Sequence, residues 1–475
     1  MSKNKATKII ATIGPASNHE NILLSMVKKG VSAFRLNFSH GDLSAHLHSI
    51  EIIRAIEKKL KLPIPIIGDL QGPKFRIGNL QNDIDLKKGD RVNFFLDPEN
   101  KSKNYHKNDT HSIPVPSKLI FSNLIPGKTF LIDDGKLVFE ILKVFDENFE
   151  AEIINSGMLK SKKGINFPNL DFNISPLTEK DKKDLHFIKE QKLDYIALSF
   201  VQKTSDVLEL RSLISSDMKI ISKIEKPQAL KDIDNIIRAS DAVMIARGDL
   251  GVELSPQEVP TIQKQLIQNC RKVGKPVIVA TQMLESMVNL PSPTRAEASD
   301  VAGAVFDGAD AVMLSAETSI GNYPEEAVTY MNSIIQSSED HIKKFPNDGP
   351  SKLDIEESNY HAVAQATVDL SEKINAKLIL GFTKTGNTAI RIARERPKMA
   401  IIAATPDSSV RRRLNLIWGI KALFISEGEF EECLSKSIEK IKELDLASSG
   451  DSIIVVSGMP FGLEGSTNSI RIEKL

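Results

Sequence analysis

The chain has 475 residues, with 62 basic and 62 acidic side chains, 5% aromatics and one tryptophan. At a soft scale of ~150 residues per domain it holds two to four domains. Balanced charge gives no global field for nucleic acid, so few aromatics leave no base-stacking surface, and no charge-free apolar run is long enough to span a bilayer; neither a nucleic-acid nor a membrane partner is expected.

No apolar leader is read at the N-terminus. The cysteines, Cys270 and Cys433, lie far apart without histidines at zinc spacing. Both read as inert thiols, and a cytoplasmic, reducing location is the expectation. In chain order, apolar runs that end in a polar residue occupy 7–13, 32–37, 64–69, 193–199, 218–223, 241–247, 276–281 and 310–315. Helical patterns at 18–29, 45–61, 204–215, 256–273 and 294–306 fall between them. Eight such units predict a (β/α)8 TIM barrel of the α/β class, with its chemistry at the C-terminal strand ends. Those ends carry Asn37, Asp69, Ser199, Lys223, Asp249, Thr281 and Ser315.

The one large gap, after the third strand, alternates apolar and polar residues and carries hairpin signals at Lys88-Gly89-Asp90 and Asp133-Asp134-Gly135. It predicts an inserted small β-barrel lid domain over the active face, hinged at Gly72-Pro73 and Asn166-Phe167-Pro168. After a helix to about residue 344 and a linker at 345–352, strands at 377–382, 400–404, 421–424 and 452–456 alternate with helices. They predict a C-terminal doubly wound α/β domain. The expected domains are 1–72 with 168–345 (barrel), 73–167 (lid) and 346–475 (C-terminal domain). The turn Thr383-Lys384-Thr385-Gly386-Asn387-Thr388 leads from a strand into a helix. It suits either a phosphate on a helix N-terminus or an ordinary capped start.

Two runs carry most of the chemistry. Ile221-Ser222-Lys223-Ile224-Glu225 delivers an ammonium and a carboxylate to one side of a strand. Ala246-Arg247-Gly248-Asp249-Leu250-Gly251 delivers a carboxylate beside glycines whose N–H groups can approach a ligand. Two carboxylates and a lysine on neighbouring strand ends suit a divalent cation gripping a phosphorylated acid. No G-x-x-x-x-G-K-[ST] is present, which excludes a P-loop phosphotransferase.

With these two runs stand residues 7–17, Arg35-Leu36-Asn37-Phe38-Ser39-His40-Gly41, Ala280-Thr281-Gln282-Met283-Leu284-Glu285-Ser286-Met287 and Pro293-Thr294-Arg295-Ala296-Glu297. In this order, over nearly the whole chain, they resemble the pyruvate kinase family. The resemblance implies Mg²⁺-dependent phosphoryl transfer from phosphoenolpyruvate to ADP, giving pyruvate and ATP in glycolysis. It implies Lys223 as the catalytic lysine, Glu225 and Asp249 as ligands of one Mg²⁺, and a second Mg²⁺ arriving with the nucleotide. Arg35 would contact the phosphoryl group, Gly248 and Asp249 N–H the substrate carboxylate, and Thr281 the enolate face. Thr281 or Ser315 would lie on the proton path, with water taking part. Asn37, His40, Arg76 and Lys163 match nucleotide contacts, although His40 can equally be structural.

K⁺-dependent members ligate that ion at positions matched by Asn37, Ser39 and Asp69. This chain departs from them at Leu70, Gln71 and Lys74. A tethered ammonium at Lys74 would replace the ion, so no K⁺ requirement is expected; a Lys74 turned to solvent would leave the requirement in place. In allosteric members the turn at 383–388 grips a sugar phosphate. The late loop at 458–468 lacks lysine and arginine, which favours a sugar monophosphate or weak regulation. A homotetramer is implied, with Arg295 near one subunit interface. The competing readings are a Mg²⁺-dependent aldol lyase on a similar barrel and a non-catalytic sugar-phosphate sensor. The first needs no lid or nucleotide set, and intact Lys223, Glu225, Asp249 and Thr281 argue against the second.

Overall fold

The computed structural model describes residues 5–99, 111–168, 175–350, 358–462, 465 and 467–475. Its strands, in chain order, begin with β1 (Lys8–Thr12), β2 (Ala33–Asn37) and β3 (Ile66–Asp69). The insertion follows with β4 (Ile84–Leu86), β5 (Arg91–Leu96), β6 (His111–Val115), β7 (Thr129–Ile132), β8 (Leu137–Val144), β9 (Asn148–Ile153), β10 (Gly157–Leu159) and β11 (Ile165–Asn166). Then come β12 (Tyr195–Leu198), β13 (Lys219–Ile224), β14 (Ala242–Ala246), β15 (Val277–Ala280) and β16 (Ala311–Leu314). β1–β3 and β12–β16 close into one parallel barrel, as the eight apolar runs predict.

Period two explains why this barrel has an apolar floor and a charged top. Ile10, Ala33, Ile67, Ala197, Ile221 and Met313 belong to one buried cluster. Two residues further along each strand stand Thr12, Arg35, Asp69, Ser199, Lys223 and Ser315, on the same side of the pleat. The intervening residues, such as Ile9, Phe34, Leu36 and Ile66, pack outward against helices.

The insertion forms a six-stranded half-barrel in the order β11-β7-β8-β9-β5-β6, with β4 and β10 paired beside it. Phe94, Phe130, Phe139 and Phe149 fill its core. Asp133-Asp134-Gly135 does join a hairpin, β7 to β8. Lys88-Gly89-Asp90 does not. It makes a turn, with Asp90 N–H on the Lys87 carbonyl, but β4 pairs with β10 and β5 with β6 and β9. A turn signal fixes a chain reversal, whereas pairing depends on which apolar face each strand must bury. Gly72, where the first hinge is expected, has φ +68, and a Cβ there would come within 2.7 Å of the Phe200 ring.

The last sheet holds β17 (Leu378–Phe382), β18 (Ala400–Thr405), β19 (Ile420–Phe424), β20 (Ser452–Gly458) and β21 (Thr467–Lys474), in the order β19-β18-β17-β20-β21. Helices cover both faces: Ile379 packs in a cluster with Ala364, Val368 and Ile392, while Leu378 and Leu380 pack with Cys433 and Leu434. The antiparallel edge strand β21 goes beyond the four strands expected from sequence. Part of the late loop read at 458–468 lies in β20 and β21, and residues 463, 464 and 466 lie outside the described residues.

This sheet domain closes the N-terminal end of the barrel. The Tyr195 hydroxyl donates to the Arg413 carbonyl, Asn415 amide to the Ser32 and Pro63 carbonyls, and Arg396 pairs with Asp310 at 3.1 Å. The opposite end, where the polar strand ends emerge, is left for ligands. Among the described residues no helix is long and apolar enough to cross a membrane.

Candidate active site

At the C-terminal mouth, four side chains from three strands form one buried ion network. Arg35 on β2 donates Nε to Asp69 Oδ2 at 2.6 Å and Nη1 to Thr12 Oγ1 at 3.1 Å. Lys223 on β13 reaches Asp69 Oδ1 at 3.2 Å and Glu225 Oε1 at 2.9 Å. Its third donor goes to Ser199 Oγ at 2.7 Å, and that hydroxyl donates to the Leu70 carbonyl at 2.7 Å. The other Glu225 oxygen accepts from Phe200 N–H at 2.7 Å. Asp69 and Glu225 are each 1% exposed.

The network sets its own protonation. Burial alone would raise the Asp69 carboxyl, but Lys223 and Arg35 outweigh it and hold it below its usual value. Burial opposes charge on Lys223, yet Asp69 and Glu225 raise its amine above the ordinary lysine value. Glu225 is pushed up, by burial first and by the neighbouring Asp249, against the pull of Lys223.

Asp249 and Gly248 belong to a seven-residue helix, Arg247–Glu253, that starts directly at the end of β14. The helical patterns read from the sequence do not include this segment; the structure forms a helical turn here. Gly248 N–H donates to Thr281 Oγ1 at 2.7 Å, an approach in which a Cβ on Gly248 would stand 3.3 Å from the same oxygen. The Thr281 hydroxyl donates to the Ala280 carbonyl at 2.6 Å. Ser315 has its hydroxyl buried and without a partner among the described residues, and its N–H is held by Glu317 at 2.6 Å.

The remaining expected residues spread outward. Lys74, at the first hinge, pairs with Asp249 Oδ1 at 3.1 Å and not with Asp69, whose oxygens are taken by Arg35 and Lys223. Asn37 accepts from Ser39 N–H at 3.1 Å. His40 is held below its usual pKa by partial burial and by the charges of Arg76, Arg35 and Lys74. Arg76 donates to the Lys162 carbonyl, and Lys163 pairs with Asp133 within the insertion at 2.7 Å.

Among the described residues no group of three or more His, Cys, Asp or Glu side chains forms a metal cage. Glu225 and Asp249, whose charge contributes to raising Glu225, present hard carboxylate oxygens of the kind a divalent cation takes.

A second cavity, about 250 Å³, lies in the C-terminal domain. Thr383, Lys384, Thr385, Asn387 and Thr388 line it; Gly386, φ +99, caps the helix behind them. Sequence reasoning searched the late loop for a second cation and missed Arg391. That residue lines the cavity one turn along the helix Asn387–Arg394, stacked on Tyr360 at 4.7 Å.

The description "Pyruvate kinase, barrel domain" matches residues 4–328, and "Pyruvate kinase, alpha/beta domain" matches 361–473. A pyruvate kinase of Agrobacterium vitis is 46% identical over 474 residues, covering 99% of this chain and 97% of the relative. Pyruvate kinase 2 of a Synechocystis strain is 40% identical, covering 99% and 79%. A crystal structure of a pyruvate kinase from Cryptosporidium parvum superposes with a TM-score of 0.89 at 35% identity, covering 99% and 96% of the two chains.

Proposed function

The chain belongs to the pyruvate kinase family of phosphotransferases, and from that premise we propose that it transfers the phosphoryl group of phosphoenolpyruvate to ADP with the mouth residues in the roles their geometry suits. The observation that carries this reading is the single network joining Arg35, Asp69, Lys223 and Glu225, opposite Asp249 and the Gly248–Thr281 pair.

In the reaction the enol O–P bond breaks, a terminal ADP oxygen bonds phosphorus, and the enolate left behind takes a proton at its methylene carbon. Arg35 commits Nε and Nη1 to Asp69 and Thr12, so Nη2 is the edge offered to a phosphoryl oxygen. Lys223 spends its three N–H bonds on protein acceptors, and a substrate oxygen would take the place of one of them. Its raised pKa keeps the ammonium charged where phosphoryl and enolate charge develops. The Gly248 N–H, shared with Thr281 Oγ1, and the Asp249 N–H would hold the substrate carboxylate, and Thr281, or the Ser315 hydroxyl, lies on the water-assisted proton path. Glu225 and Asp249 would hold Mg²⁺, which when bound neutralises charge on the phosphorylated acid; a second Mg²⁺ comes with the nucleotide. Asn37, His40, Arg76 and Lys163 form the nucleotide side, with Lys163 moving in as the lid closes.

Lys74 supports a K⁺-independent enzyme: it brings a fixed positive charge into the cleft by covalent attachment, paired with Asp249. The turn 383–388 with Arg391 supports a sugar monophosphate effector site. A homotetramer in the cytoplasm completes the reading.

The test is pyruvate formation from phosphoenolpyruvate, with ADP, Mg²⁺, KCl and a sugar monophosphate each supplied or withheld. Turnover should need ADP and Mg²⁺, proceed without K⁺, and rise with the sugar phosphate at subsaturating phosphoenolpyruvate. Lys74→Glu should cut the K⁺-free rate and make it respond to KCl. No pyruvate under any of these conditions would return the lyase and sensor readings; a wild-type K⁺ requirement would remove the role of Lys74; a flat sugar-phosphate response would remove the effector site.

A further inference from the structure

We infer that Arg247 is a positioning residue for this reaction, acting through Thr281. The inference rests on the role proposed above for the Thr281 hydroxyl. Arg247 starts the helix that carries Gly248 and Asp249 and is 7% exposed. Its Nη2 donates to the carbonyls of Thr281 at 2.8 Å and Gln282 at 3.2 Å and lies 2.8 Å from Met283 Sδ. Its Nη1 is anchored by Asp300 at 2.6 Å and Gln263 at 3.3 Å, on two separate helices.

The carbonyls it grips belong to an unusual backbone. Thr281 and Gln282 both have left-handed dihedrals, φ 65 and φ 55. For a β-branched residue this region is sparsely populated and persists only where surroundings over-determine it. Neither residue is glycine, so the chain alone gives no reason to turn this way. Adjacent residues of one helix supply the reason from both ends. The Arg247 side chain holds the Thr281 backbone, and the Gly248 backbone holds the Thr281 side chain. The hydroxyl is thereby held between the Gly248 N–H and the Ala280 carbonyl, and loss of the guanidinium frees residues 281–282 to relax toward ordinary dihedrals.

The experiment compares Arg247→Met, Arg247→Lys, Thr281→Val and the double variant Arg247→Met/Thr281→Val in the full chain. Arg247→Met should lower kcat by about 10²-fold, the scale of a misplaced reacting group, with KM for phosphoenolpyruvate and ADP nearly unchanged. Arg247→Lys should recover part of the loss, and the double variant should be no slower than Thr281→Val. Exchange of pyruvate methyl protons with solvent deuterium, the reverse of enolate protonation, should fall in the same proportion as kcat. Additive losses in the double variant, or a loss of melting temperature with kcat per folded molecule intact, would overturn the inference while leaving Thr281 in its role. A Thr281→Val enzyme with wild-type kcat would overturn that role and this inference with it. Should Arg247→Met not fold, Asp300→Asn, which loosens only the Nη1 anchor, should give a smaller kcat loss in the same pattern; unchanged kcat there counts against Arg247.

Discussion

Lys223 shares its charge between two carboxylates, but its third acceptor is the neutral hydroxyl of Ser199, 2% exposed and fixed by the Leu70 carbonyl. A serine placed this way holds the ammonium in one rotamer without adding negative charge to the mouth. Ser199→Ala should leave a buried donor without its acceptor, a loss of about 1–3 kcal/mol. Part of it should appear as a roughly tenfold fall in kcat, by the relation of about 1.4 kcal/mol per decade, with KM for ADP unchanged. A kcat equal to wild type would mean that Asp69 and Glu225 alone fix Lys223. Ser199 was legible from sequence as a polar strand end, because the period of two marks which residues face the mouth. Its bond to Lys223 was not, since the two lie on different strands and nothing local pairs them. Arg391 escaped for a similar reason: the cavity wall is set by helix periodicity and not by the turn motif in front of it.

The helix Arg247–Glu253 is the element that sequence reading misses and the site depends on. Two of its seven residues are glycines, each costing about 1 kcal/mol against alanine in a helix, so local propensity points to a loop. Tertiary ties override it. Glu253, 5% exposed, accepts from Lys226 at 2.5 Å, next to Glu225, and from Asn166 at 3.0 Å, at the second lid hinge. The first hinge reaches the same helix through Lys74 and Asp249. Both segments expected as hinges are therefore tied to one short element, which carries the carboxylate proposed for Mg²⁺. Glu253→Gln should remove the charge that Lys226 and Asn166 share. The Lys226 side chain keeps 21% of its surface in water, so the cost should be about 2 kcal/mol, below that of a fully buried pair. It should appear as a lower melting temperature and faster proteolysis near residues 165–168. An unchanged melting temperature together with wild-type proteolysis would show that the helix is held without Glu253.

At the scale of the whole molecule, the barrel strands were legible because each is a short apolar run with a polar end, a pattern written locally. The docking of the C-terminal sheet against the barrel floor was not, because its contacts join residues hundreds of positions apart. Lys8 is the clearest case. It begins β1, is 6% exposed, and donates to the Ile420 carbonyl of the other domain at 2.7 Å. Burial, with the Lys421 charge, brings its amine down from 10.5 to about 8, against the opposing pull of Glu339 and Asp310. In the unfolded chain the amine keeps its proton up to about its ordinary value. Between the two values the unfolded state binds more protons than the folded one, so stability rises with pH across that window. Below about pH 8 both states are protonated, and the cost of burying the charge is present in full. Lys8→Met removes that cost at every pH, together with one interdomain hydrogen bond. The melting temperature of the variant minus that of the wild type should therefore be most favourable near about pH 7 and decline steadily toward about pH 10, as the wild type sheds its own penalty. A difference that stays flat over this range would mean that Lys8 does not change charge there. One that grows with pH would mean that the folded state favours the ammonium, with Glu339 and Asp310 outweighing burial at the domain junction.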